Sequence, residues 1–144
     1  MRDFANSWQF WALLAAAFAA LTAIFAKVGI SGVNSNFATL FRTLVVVAAL
    51  APLLWFTGEY QSLSTLSAKT VTFLVLSGLA TGASWLCYFR ALQLGQAGQV
   101  APVDKLSVVF VAIIGALFLG ERLSLTGWSG VALIAGGAIL VAVG

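Results

Sequence analysis

From Trp8 to Phe25 the chain runs through apolar residues almost without a break, and further runs of similar length follow along its whole extent. A helix rises 1.5 Å per residue, so about 20 such residues cross a hydrocarbon core roughly 30 Å thick. With 62% hydrophobic and 8% charged residues and a mean hydropathy of +1.08, too little polar surface exists to solvate a globule of 144 residues. The sequence therefore predicts an all-α integral membrane protein. It forms one domain over residues 1–144, a bundle of five transmembrane helices at about 8–28, 35–56, 70–89, 97–119 and 125–143. The first run exceeds the roughly 7 to 15 residues of a signal-peptide core, so no cleavable signal is expected.

The links between spans fit this reading. Gly29-Ile30-Ser31-Gly32-Val33-Asn34 is turn chemistry, and Gly58 to Ser67 is the longest polar connection. Within it, Leu63 and Leu66 have the spacing of a short amphipathic turn lying on the bilayer surface. Gln93 to Gln99 reads as a polar turn, and Gly120 to Ser124 is short enough to demand antiparallel neighbours. Alanines 15–17, 19, 20, 23 and 26 make the first span small-surfaced. The third carries the GxxxG of Gly78 and Gly82 beside Ser77, Thr81 and Ser84. With Gly127, Gly130, Gly136 and Gly137 in the last span, these faces are expected to pack closely against protein.

Several classes of function are disfavoured. Cys87 is the single cysteine and there is no histidine, so no metal, redox or cofactor chemistry is expected. No nucleophile is placed beside a base, so an enzyme is not expected. The net charge of +3 comes from scattered basic residues rather than the clustered patch of a nucleic-acid binder, so a nucleic-acid partner is not expected either.

The stretch Val100-Ala101-Pro102-Val103-Asp104-Lys105-Leu106-Ser107 carries the chemistry, because it puts a carboxylate and an ammonium at the head of the uncharged run Val108 to Leu119. Ionisable groups at such depth suggest a functional site. If the span starts at Ala97, Asp104 is about as deep as Arg42, which stands about eight residues, roughly 12 Å, into the second span. Lys27, Arg90 and Lys105 fall in the same half of the bilayer. An unpaired charge at a helix centre costs about 3 kcal/mol, so Asp104 is expected to pair with Arg42, Lys27 or a group beside Lys105. The alternative starts the helix at Pro102, with Asp104 capping free amides. Arg42 has its own alternative, snorkelling to the headgroups. Trp85 and Tyr88, three apart on the third span, line a pocket with Arg90 or belong to the aromatic belt. Lys27 and Arg90 read as interface anchors, and Glu121 and Arg122 as a solvated loop pair.

Five spans put the termini on opposite sides. Arg2, Lys69 and Arg122 flank one side, and Lys27 and Arg90 the other, with Arg42 and Lys105 too deep to assign. So even a balance specifies orientation weakly and is compatible with insertion both ways.

Tyr88-Phe89-Arg90-Ala91-Leu92-Gln93-Leu94-Gly95 is followed by Val100 through Val109, by Leu117-Phe118-Leu119-Gly120-Glu121-Arg122-Leu123-Ser124 and by Gly130 through Gly137. This succession resembles the second half of an EamA domain, the repeat unit of the drug/metabolite transporter superfamily, and the likeness continues more weakly through the first two spans. The resemblance implies a multi-pass carrier of metabolites or drugs in the cell inner membrane, in which two inverted five-helix repeats enclose a substrate cavity. It implies a half-size member, completed by a second copy or a paralogous five-helix partner. A homodimer would need dual topology, which the charge balance permits. Small multidrug carriers of the superfamily use a glutamate in their first helix. The first span here has no acidic residue, which speaks against proton-coupled cation antiport.

The expected function is thus alternating-access transport of a small-molecule solute. Asp104, Arg42, Lys105, Trp85 and Tyr88 are the candidate residues for binding substrate or coupling ion. The competing reading is a non-transporting membrane subunit whose glycine faces bind another protein.

Overall fold

A computed structural model describes residues 7–144; Arg2, which entered the orientation balance, lies outside the described residues. Among them every regular element is helical: α1 (Trp8–Gly29), α2 (Ser35–Thr57), a 3-10 turn (Leu63–Thr65), α3 (Ala68–Leu94), α4 (Ala97–Asp104), α5 (Ser107–Phe118) and α6 (Leu125–Val143). Taking α4 and α5 together as Ala97–Phe118, five helical stretches are long and apolar enough to cross a membrane.

Local chemistry sets the boundaries. After α1, Val33 N–H donates to Ile30 O at 3.2 Å across a turn whose Gly32 takes φ 74°, a left-handed angle that glycine adopts without a Cβ penalty. Asn34 then caps α2, its Oδ1 accepting from the amides of Asn36 and Phe37 at 2.9 and 3.3 Å. Helix α2 carries Pro52 inside it and stops at Gly58, φ 69°. Ser67 and Ser124 cap α3 and α6 through bonds of 3.0 and 3.1 Å to the amides of Thr70 and Gly127.

Two compact units emerge. A central unit spans Gly29–Gln93, and a terminal unit combines α1 with the chain from Leu94 to Gly144. In the central unit the buried residues Ile30, Ser35, Thr39, Phe89 and Leu92 gather where α2 begins and α3 ends, with Leu92 wholly enclosed. Away from that end, every residue from Val47 to Thr57 and from Thr72 to Thr81 is exposed. In the terminal unit α6 lies along both α4 and α5. Its buried residues, Ala23, Gly115 and Ala138, are all small, as close helix approach requires.

Three features differ from the sequence expectation. Helix α3 continues five residues past Phe89 to Leu94, so the predicted polar turn shrinks. The fourth span is not one helix: it breaks at Lys105 and Leu106. The glycines Gly78, Gly82, Gly130, Gly136 and Gly137 meet no side chain of their own unit within 4 Å of where a Cβ would stand, so close packing at these faces is not made inside either unit.

Candidate functional site

Each unit holds one group of the candidates drawn from the sequence. On α2, Ser35, Thr39, Arg42, Thr43 and Val46 recur at helical spacing and form the less exposed face. The threonine hydroxyls are satisfied inside their own helix, Thr39 donating to Ser35 O at 2.9 Å and Thr43 to Thr39 O at 2.8 Å. Arg42 is the charged group on this face.

Opposite it, α3 offers Trp85, Tyr88, Phe89 and Leu92, again at helical spacing. The Arg42 guanidinium carbon stands 4.2 Å from the Trp85 ring centroid and 5.6 Å from that of Phe89. Both are cation–π distances, and the planar guanidinium is the cation best shaped for this stacking. Tyr88 is within electrostatic reach of the same charge. Among the described residues no acceptor takes a hydrogen bond from Arg42, yet no guanidinium nitrogen is sealed from the surface. The arrangement holds a cation against aromatic rings and leaves its N–H groups without an acceptor among the described residues.

Arg90, which the sequence offers as the companion of Trp85, does something else: its Nη1 donates to Gln93 Oε1 at 3.2 Å. Gln93 Nε2 in turn donates to Val33 O at 2.7 Å, fastening the end of α3 to the turn before α2. Phe89 is the member of the aromatic group that sequence reasoning missed. Its signal was the four-residue spacing from Trp85, visible only once Arg42 is known to face that stripe.

The second group sits at the helix break. Asp104 is the last residue of α4, and its carboxylate pairs with the neighbouring Lys105 Nζ at 3.3 Å. Helix α4 starts at Ala97, so Pro102 is inside the helix rather than at its first position, and Asp104 does not cap free amides. Lacking an N–H, Pro102 leaves the Gly98 carbonyl without its usual donor one turn ahead of the break. Beyond it the bonds tighten from four-residue to three-residue steps: Leu106 N to Val103 O at 3.0 Å, Val108 N to Lys105 O at 3.0 Å and Val109 N to Leu106 O at 2.9 Å. Among the described residues the Asp104 carbonyl receives no backbone amide. Lys27, another expected partner of Asp104, donates instead to Gly95 O at 2.7 Å, joining the last turn of α1 to the start of the α4 segment. Arg42 belongs to the central unit and Asp104 to the terminal one.

No group of three or more His, Cys, Asp or Glu residues among the described residues is placed to hold a metal ion. Cys87 is a free, exposed thiol.

Comparison with known proteins places these features in a family context. The EamA-like transporter family matches residues 6–143. An "uncharacterized transporter in cobO 3'region" from Sinorhizobium sp is 63% identical over 138 residues, which cover 96% of this chain and 98% of that protein. No solved structure matches.

Proposed function

Because this chain belongs to the EamA-like transporter family, we propose that it carries a small-molecule solute across the cell inner membrane by alternating access, as a dimer of two oppositely inserted copies. The observation that supports this reading most is the interruption at Lys105 and Leu106, beside the Asp104–Lys105 pair. Lys105 is eight residues past Ala97, about 12 Å into a stretch of membrane-spanning length. Irregular backbone and ionised groups are tolerated at such depth only where they are enclosed by protein or line a water-filled path. Broken helices meeting at mid-membrane are the way secondary carriers build substrate and ion sites.

The open glycine faces supply the reason for a dimer. Small residues that meet nothing within their own unit offer surfaces on which another helix can approach closely. A second copy in the opposite sense needs no strong orientation signal, and the nearly balanced basic residues supply none. A paralogous five-helix partner would serve the same geometry. Asp104 and Lys105 at the break, and Arg42 with Trp85 and Tyr88 in the central unit, are the residues proposed to handle substrate or coupling ion.

A reporter fused to the C-terminus tests the assembly. Signal from both sides of the membrane is expected, and signal from one side alone contradicts the inverted pair. Cysteines placed along α2 and α4, with Cys87 replaced by serine, test the path. Hydrophilic thiol reagents are expected to modify the faces bearing Arg42 and Asp104, whereas uniform protection contradicts carriage.

A further inference from the structure

Arg42 sets a problem that the rest of the central unit does not solve. The only carboxylate of that unit, Glu59, lies just past the far end of α2, about 25 Å along the helix axis. It accepts a hydrogen bond from Thr57 at 3.1 Å. The other cations of the unit are also elsewhere: Lys69 is in the first turn of α3, at the opposite end of the helix from Trp85, and Arg90 is engaged with Gln93. One positive charge, beside two aromatic rings and without an acceptor among the described residues, is left about 10 Å into a membrane-spanning helix.

From this geometry we infer that Arg42 is the recognition group for a monocarboxylate with a flat, apolar body. The guanidinium fork matches a carboxylate through two parallel N–H···O bonds. A single cation compensates one negative charge, which favours a carboxylate over a phosphate dianion. Trp85 and Phe89, with ring centroids 4.2 and 5.6 Å from the guanidinium carbon, hold the group in place and offer flat apolar surface beside it. Tyr88, one turn along the same stripe, supplies amphipathic surface for the rest of the solute. Thr39 and Thr43 spend their hydroxyl protons on their own helix, so the recognition is by charge rather than by a ring of neutral donors.

This inference rests on the carrier reading, and the experiment separates the two. Val46 lies one turn beyond Arg42 on the same half-buried face. A Val46→Cys chain in a Cys87→Ser background is reconstituted in phosphatidylcholine vesicles and treated with sulfonatoethyl or trimethylammonioethyl methanethiosulfonate. The anionic reagent is expected to be favoured, and Arg42→Gln is expected to lower the anionic-to-cationic rate ratio about fivefold or more. Benzoate is expected to protect the thiol while the neutral benzamide does not. Arg42→Lys should keep the charge preference but weaken benzoate protection about tenfold, because the fork is lost. That variant also controls for misfolding. Equal protection by benzamide, protection by glycerol phosphate as good as that by benzoate, or no protection at all overturns the carboxylate inference while leaving the carrier reading standing. A thiol inert to both charged reagents but reactive to N-ethylmaleimide sits in lipid and overturns both.

Discussion

The two charged sites solve one physical problem in different ways. In the terminal unit Asp104 and Lys105 are adjacent, neutralise each other at 3.3 Å and sit where the helix has given up its regular bonding. In the central unit Arg42 stands on an intact helix, with aromatic rings for neighbours and no acceptor among the described residues. A self-compensating pair needs nothing from outside and is suited to changing partners as the backbone around it moves. A cation held beside aromatic rings with no acceptor of its own is suited to binding an anion that comes and goes. On the proposed reading, the difference separates a place where the protein bends from a place where a solute docks.

The largest expected effects test that division of labour. Asp104→Asn should abolish benzoate counterflow in proteoliposomes while the protein still inserts and dimerises, and should leave benzoate affinity within about threefold. Arg42→Gln should do the reverse, weakening benzoate binding by about tenfold or more through loss of a charge-assisted contact. If both variants lose binding equally, the two sites act as one and the contrast collapses.

A smaller effect sharpens the role of the rings. Trp85→Leu should weaken benzoate binding about three- to tenfold, the range of a partly desolvated cation–π contact. Trp85→Phe should recover most of the loss, and an equal loss in both would show that indole packing rather than ring electrostatics matters.

The smallest effects concern the side-chain ties at the loops, one in each unit. Lys27→Met removes a charged donor from Gly95 O and should destabilise by about 1.5–3 kcal/mol; Gln93→Ala removes a neutral donor from Val33 O and should cost about 1 kcal/mol. Unfolding by sodium dodecyl sulfate in mixed micelles measures both, and the opposite ranking would place the firmer tie in the central unit.

The span count and most links were legible because apolar length and turn residues are local properties. Asn34, Gly58 and Ser124 end or begin helices through their own side chains or backbone angles, and each does so where its chemistry suggests. The break at Lys105 was not legible. Pro102 and Asp104 in that order also suit the start of a helix, and only the position of Ala97 as the first residue of α4 decides between the readings. The partner of Trp85 was likewise ambiguous. Arg90 is nearer in sequence, but it projects from a different side of α3, and the guanidinium that reaches the ring comes from another helix. Close contacts within one helix follow from spacing; those between helices need the register, which no single span encodes. The glycine faces show a further limit, since the sequence predicts close packing without saying whether the partner lies in the same chain.

Water access to the break decides whether the interrupted helix serves a transport path. Ser107, the first residue of α5, and Ile113, about 120° around the same helix, are both exposed in the single chain. In a Cys87→Ser background within sealed vesicles, a cysteine at Ser107 should react with sulfonatoethyl methanethiosulfonate at least about tenfold faster than one at Ile113, because the wet path runs along the face that Ser107 shares with the break. Equal, slow reaction at both positions would place the break in lipid or dry protein and contradict the carrier reading.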